Sequence, residues 1–442
     1  MSRDKTDVAE RSTLERGPEQ EWEKSGVEGG GLRDTNIVDF DGPNDPEHPL
    51  NWSTTRKTTS IVIVSLTPLL SPVGSTISAA AAADIMQHFG TSDEMLGTLV
   101  TTIYLLGYAF GPMVIAPLSE LYGRAIVFRS CTLLFVVFNV ACAVANSFGS
   151  LVVYRLLAGI AGSCAGTLGA SSIADMIARE KRGTVMSAYI MGPTLGPTIG
   201  PIIGGNITAA AGWRWGFWLM AIASLSSSSS PYTSRNHNLR SALDTSKNPS
   251  QLFAFSILRP FKMLVSPIVF LMSAYAATVF SYAYLCFTTF PRIFKDQYGF
   301  GSGASGLTSI GIGVGFIVGL LFVGAVSRDL SDRWSAHLTN ENGGVAKPEY
   351  RLPIFVVGAV FVPIGLFWYG WSAEYKAHWI VPIIGTAFTG IGIVTAYTTT
   401  ATYLIDAYTV FSASVMAASA ILRCLFGALL PLAGSAMFDA LG

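Results

Sequence analysis

Residues 192–205 read GPTLGPTIGPIIGG, with glycine at 192, 196, 200 and 204 and proline at 193, 197 and 201. In water this register argues against a helix, because an interior proline costs about 3 kcal/mol and a glycine about 1 kcal/mol. In a bilayer the argument reverses. Neighbouring helices and Ser or Thr side chains there supply donors to the carbonyls that proline frees. Glycines four apart also form a groove that lets a second backbone approach closely. The stretch therefore predicts a membrane helix with a small-residue packing face.

The rest of the chain agrees. Half of its 442 residues are hydrophobic and only 13% are charged, against about 25% in a soluble domain. The first 57 residues hold 8 basic and 13 acidic side chains, so 1–57 is predicted to be a disordered cytoplasmic tail. No apolar core follows its first basic residues, so no cleavable signal peptide is expected and the first apolar segment serves as an internal anchor. The five cysteines (Cys131, Cys142, Cys164, Cys286, Cys424) lie in apolar runs without metal-ligand spacing. They read as small core residues, and no metal site is expected. Net charge is zero and no basic cluster interleaves with aromatics, which argues against a nucleic-acid partner.

A helix needs about 20 apolar residues to cross about 30 Å of hydrocarbon. Ten such runs begin near Thr58, Leu96, Ile126, Leu151, Thr184, Leu264, Gly306, Leu352, Trp379 and Phe411. An eleventh, WRWGFWLMAIASL (213–225), stops after 13 residues at five serines. Counting it as a span leaves 14 Lys and Arg in the inner connections and 4 (Arg214, Arg292, Lys295, Lys376) in the outer ones, as the positive-inside rule requires. The sequence thus predicts an all-α integral membrane protein of about eleven spans, the sixth short. Its parts are the tail 1–57, an N-terminal bundle 58–225, a cytoplasmic linker 226–263 and a C-terminal bundle 264–442. Two bundles on such a linker are the organisation of many secondary transporters, whose site lies between the halves. Gly311, Gly315 and Gly319 of the eighth span are also four apart. Two ordinary small-residue packing faces are the favoured reading, the alternative being that these glycines match the groove of the fifth span.

Arg423 lies 12 residues past Phe411, about 18 Å into its helix, where a charge is costly and is functional by default. No Asp, Glu or His lies mid-span; Asp84, Asp175 and Asp406 sit at span ends. Asp84 is the best available proton carrier, its alternative being a marker of the outer end of span 1. Tyr104, Tyr108, Tyr189, Tyr275, Tyr282, Tyr284, Tyr397 and Tyr403, with Thr398 to Thr400, are expected to line a cavity. Such a wall suits flat hydrophobic or cationic compounds, and ordinary helix packing is the competing use of each tyrosine. The five histidines lie outside the span interiors, so an enzyme is not expected.

Six stretches carry a family resemblance: DPEHPLNWS (45–53), GPMVIAPLSELYGR (111–124), YRLLAGIAGSCAG (154–166), RGTVMSAYIMGPTLGPTIGPIIGG (182–205), PEYRLP (348–353) and SASVMAASAILRCLFGALLPLAG (412–434). Together they resemble the major facilitator superfamily, in particular the twelve-span fungal drug:proton antiporters that export drugs, polyamines and secondary metabolites. The resemblance implies the two-bundle fold, a small-molecule substrate, and a proton gradient as the coupling ion with no other cofactor. It also implies a monomer in a lipid bilayer, by default the plasma membrane, with the vacuolar membrane as the alternative.

Residue by residue, the resemblance implies an antiporter motif at Gly192, Pro193, Gly196, Pro197, Gly200, Pro201, Gly204 and Gly205, on a kinked helix where the halves meet. It implies a gating loop with Glu120 at the acidic position and Gly123 and Arg124 at the conformational lock. Leu121 and Ala125 stand where basic residues are common. Arg124 is expected to pair with Asp175, and Arg182 belongs to the same cytoplasmic gating region. Arg155 matches an arginine proposed to take part in proton coupling, the alternative being that it snorkels to the interface. Two departures stand out. The sixth span is short, and the chain stops at Gly442 after the eleventh span, where the family continues into a twelfth. A proton-coupled exporter and a truncated, non-transporting remnant or receptor-like protein on the same scaffold both stay open.

Overall fold

The first described helix, α1 (67–76), stops at a run of turns over 77–81, and the chain resumes as α2 (Ala82–Phe89). The computed structural model describes residues 67–91, 93–122, 124–176, 179–227, 249–326, 352–408 and 412–441. The predicted tail and the start of the first span lie outside them. The first bundle continues with α3 (Glu94–Tyr122), α4 (Arg124–Ala143), α5 (Phe148–Met176), α6 (Arg179–Ala211) and α7 (Arg214–Ser227). After the linker come α8 (Pro249–Leu264), α9 (Pro267–Tyr298), α10 (Ser302–Leu307), α11 (Ile310–Val326), α12 (Leu352–Glu374), α13 (Ile380–Ala407) and α14 (Ser412–Leu441).

Among the described residues, eight stretches are long and apolar enough to cross a membrane, in α3, α4, α5, α9, α10 with α11, α12, α13 and α14. Helix α6 adds a ninth by length: its 33 residues rise about 50 Å. The marginal sixth span is the helix α7 of 14 residues, about 21 Å long and shorter than the hydrocarbon layer. Part of the predicted linker is helical. Met263 and Leu264, at the end of α8, pack on the cluster of Val269, Tyr403, Leu404 and Val415.

Within the first bundle α3 packs against α5, and α4 against α5 and α7; in the second, α13 packs against α11 and α12, and α9 against α14. The bundles meet where α3 touches α14 and where α6 touches α10 and α11. Large apolar side chains such as Leu133, Leu321, Val356, Phe367 and Trp371 stay exposed on the outside, as a protein dissolved in lipid permits.

The two glycine faces pack on separate neighbours and not on each other, as ordinary packing faces do. Gly196, Gly200 and Gly204 are filled by α1 and the turn after it, since a β-carbon at each would meet the carbonyl of Leu69, Val73 or Ile77 respectively. Gly311, Gly315 and Gly319 instead receive α13, at Ile383, Ala387 and Ile391. A small-residue stripe dictates that some backbone comes close, and the bundle topology selects which one. Contact between the bundles uses another side of α6, where Pro201 and Gly205 lie against Ser302 and Gly306.

Candidate functional site

The break after α1 leaves carbonyls without helical donors. Within the turns, Ala79 N–H reaches Thr76 O at 2.9 Å and Ala81 N–H reaches Ser78 O at 3.2 Å. The carbonyls of Gly74 and Ser75 are taken by Arg155, whose Nη1 donates to the first at 2.7 Å and whose Nη2 donates to the second at 2.9 Å. Arg155 Nε donates to Val100 O at 2.9 Å, and Nη2 also reaches Ser78 Oγ at 3.2 Å. The side chain is 0% exposed, so it does not snorkel. Its charge is met by carbonyl dipoles and by the face of Tyr104, 4.8 Å away.

The prolines of α6 raise the same question of donors. Pro201 lacks an N–H, so the carbonyl of Pro197, four residues earlier, has no helical partner. Thr76 Oγ1 supplies one at 2.8 Å. Glycine and proline thus act together, the glycines admitting α1 and a hydroxyl on α1 satisfying the freed carbonyl.

Beside this contact lies a cavity of about 80 Å³ walled by both bundles. Pro72, Ser75, Tyr104, Leu105, Tyr108, Pro193, Thr194 and Pro197 come from the first bundle. The second contributes Phe280, Ala283, Tyr284, Phe287, Phe316, Ile393, Val394, Tyr397, Arg423 and Cys424. The hydroxyls of Ser75 and Tyr284 share a hydrogen bond of 2.9 Å from one bundle to the other, and Tyr104 bonds Ser71 at 2.7 Å. Arg423 lies 4.6 Å from the ring centre of Tyr397 and 5.0 Å from that of Phe280. Its Nε is buried without a hydrogen-bond partner. Among the described residues it is the one charged side chain in the wall.

Of the tyrosines singled out from sequence, Tyr104, Tyr108, Tyr284 and Tyr397 line the cavity. Tyr275 and Tyr282 instead pack on the core of the second bundle, and Tyr403 is buried beside Leu404 and Val415. Thr398 returns its hydroxyl to Val394 O at 2.8 Å, and Thr399 and Thr400 are buried away from the cavity wall. Glu120, Arg124, Asp175, Arg182 and Tyr189 fall on α3, α4, α5 and α6, but their side chains lie outside the described residues, as does Gly123. The expected Arg124–Asp175 pair therefore lies outside them too.

Asp84 is on α2 rather than on a continuous first span, and its Oδ2 accepts a hydrogen bond of 3.0 Å from Ser302 Oγ on the other bundle. A second bridge between the bundles joins Glu94, at the start of α3, to Arg292 near the end of α9, and Asp296 lies 3.8 Å from Arg292 Nε. Sequence reasoning missed this pair, having counted Arg292 only toward orientation. The signal present was a charge at each of two span ends on the side assigned outward.

Residues 64–431 match the family model described as Major Facilitator Superfamily. The MFS-type transporter penM of Penicillium rubens is 49% identical over 433 residues, which cover 93% of this chain and 84% of that protein. The efflux pump radE of Floropilus chiversii is 38% identical over 432 residues, 93% of this chain and 80% of that one. Among solved structures, a D-xylose-proton symporter superposes with a TM-score of 0.64 at 16% identity, over 85% of this chain and 89% of its own. A bacterial homologue of the human lysosomal transporter Spinster, inward-facing and occupied, gives 0.64 at 16% identity over 88% and 83%.

Proposed function

The chain belongs to the major facilitator superfamily of multi-pass membrane transporters, and on that premise we propose that it exports small amphipathic molecules by proton-coupled alternating access. The observation that carries the reading is the cavity walled by both bundles. Rocking one bundle against the other opens such a site to each side of the membrane in turn. The relative named as an efflux pump supports the outward direction.

In this reading Asp84 carries the proton. Its hydrogen bond to Ser302 is made between the bundles, so the carboxylate has that partner in one conformation and loses it in the other. A group whose surroundings differ between two states links its protonation to their populations. Arg155, with its donors committed to backbone carbonyls, supports the broken first span. The cytoplasmic lock is the pairing of Arg124 with Asp175, with Arg182 near it. The protein acts as a monomer in the plasma membrane with its N-terminus in the cytoplasm, the side that the basic residues favour.

The test uses liposomes holding the purified full chain and an amphipathic fluorescent dye. Dye movement driven by an imposed pH gradient, abolished by a protonophore and weakened in Asp84→Asn, is the expected result. Movement indifferent to the gradient would remove proton coupling. No movement of any dye would return the chain to the non-transporting scaffold.

A further inference from the structure

Two of the described arginines, Arg155 and Arg423, lie inside the membrane region, and their surroundings differ. Arg155 meets two carbonyls through its terminal nitrogens and a third through Nε. Arg423 projects between the rings of Phe280 and Tyr397 into the cavity, and its Nε has no hydrogen-bond partner. Its guanidinium hydrogen-bonds the side chains of Tyr397 and Cys424 and faces Tyr108, and no described residue of the wall is an Asp, Glu or His. Two of the wall's hydroxyls, Ser75 and Tyr284, already bond each other. The cavity thus holds a positive charge with no counter-charge from the described residues.

A buried cation without a counter-charge is destabilising, and an intramembrane ionisable group marks a functional site by default. An anionic ligand would relieve that penalty, because guanidinium pairs with a carboxylate through two parallel hydrogen bonds. The surrounding Phe and Tyr rings offer faces to a flat ring system. Building on the transporter reading above, we propose that the substrates are amphipathic organic acids: planar or aromatic molecules whose carboxylate, enolate or phenolate pairs with Arg423. This reverses the preference for cations expected from the tyrosines alone, since a bound cation would meet a like charge.

Three coumarin probes of matched shape test the assignment on the purified full chain in lipid nanodiscs: coumarin-3-carboxylate, its neutral amide and a trimethylammonium derivative. The carboxylate should bind at least about tenfold more tightly than the amide, with the cation weakest. Arg423→Gln should bring acid and amide within about twofold of each other, while amide binding persists and reports a folded protein. Arg423→Lys keeps the charge and should keep an acid preference of about threefold or more. Tighter binding of the cation than of the acid, an acid-to-amide ratio unchanged in Arg423→Gln, or no saturable binding of the acid would overturn the proposal. Flux measured in parallel separates the two readings. Acid binding with no flux of any probe overturns transport and supports the substrate assignment; gradient-driven flux of the cation without acid binding does the reverse.

Discussion

Thr76 donates its hydroxyl at 2.8 Å to the carbonyl of Pro197, the carbonyl that the ring of Pro201 deprives of a helical donor. The contact explains how Pro201, the last of the three prolines in a helix of 33 residues, is accommodated. Glycine supplies the approach, and the hydroxyl of a neighbouring helix supplies the missing hydrogen bond.

Thr76→Val keeps the shape and removes the donor. It should lower the stability of the solubilised protein by about 1 kcal/mol, while Thr76→Ser stays near wild type. Thermal unfolding in detergent reads the difference; a valine variant with an unchanged midpoint would mean that the carbonyl is satisfied elsewhere.

Gly200→Ala should cost about 1–3 kcal/mol, because its β-carbon would press on the hydroxyl of Thr76 and come within 2.7 Å of Val73 O. Gly216→Ala is the control. There the β-carbon would find the Ile77 side chain at 3.6 Å, an ordinary contact, and stability should not fall. Equal losses at both positions would show that the cost does not come from the close approach at Gly200.

Arg155→Gln cannot reach the carbonyls of Gly74, Ser75 and Val100 together. Each buried acceptor left unsatisfied costs about 1–3 kcal/mol, so the expected outcome is a sharp drop in monodisperse protein on gel filtration. A well-folded variant that lost only its pH-dependent transport would assign Arg155 to proton coupling instead.

The Glu94–Arg292 bridge joins two side chains that are 41% and 44% exposed, so its worth is about 0–1 kcal/mol and is screened by salt. Glu94→Gln should therefore shift the balance of open and closed states on that side by up to about fivefold. Spin labels at Met95→Cys and Gln297→Cys would report this as a longer distance population, more pronounced at low ionic strength. The double reversal Glu94→Arg with Arg292→Glu should restore the wild-type distances; no change in either variant would show that the bridge does not hold the bundles together on that side.

The solvent and the spans were legible because they are local properties. A run of 20 apolar residues meets lipid wherever it sits in a fold, and the helices start close to the predicted run starts, at Glu94, Arg124, Phe148, Ile380 and Ser412. The role of an individual side chain was less legible. Tyr282 and Tyr284 are two residues apart on α9, yet the first packs on the bundle core and the second lines the cavity. A helix apolar on most of its circumference carries little amphipathic signal to separate such faces.

By itself, then, the sequence determined a membrane-spanning helical chain in two bundles with a glycine–proline groove on its fifth span. Tertiary structure decided what fills that groove, where the first span breaks, and which intramembrane arginine is satisfied. Those outcomes depend on partners far apart in the chain, 81 residues for Arg155 and Gly74 and 209 for Ser75 and Tyr284. A hydrogen bond or a counter-charge is fixed by what the fold brings within about 3 Å, and the spacing of residues along one helix does not specify that neighbour.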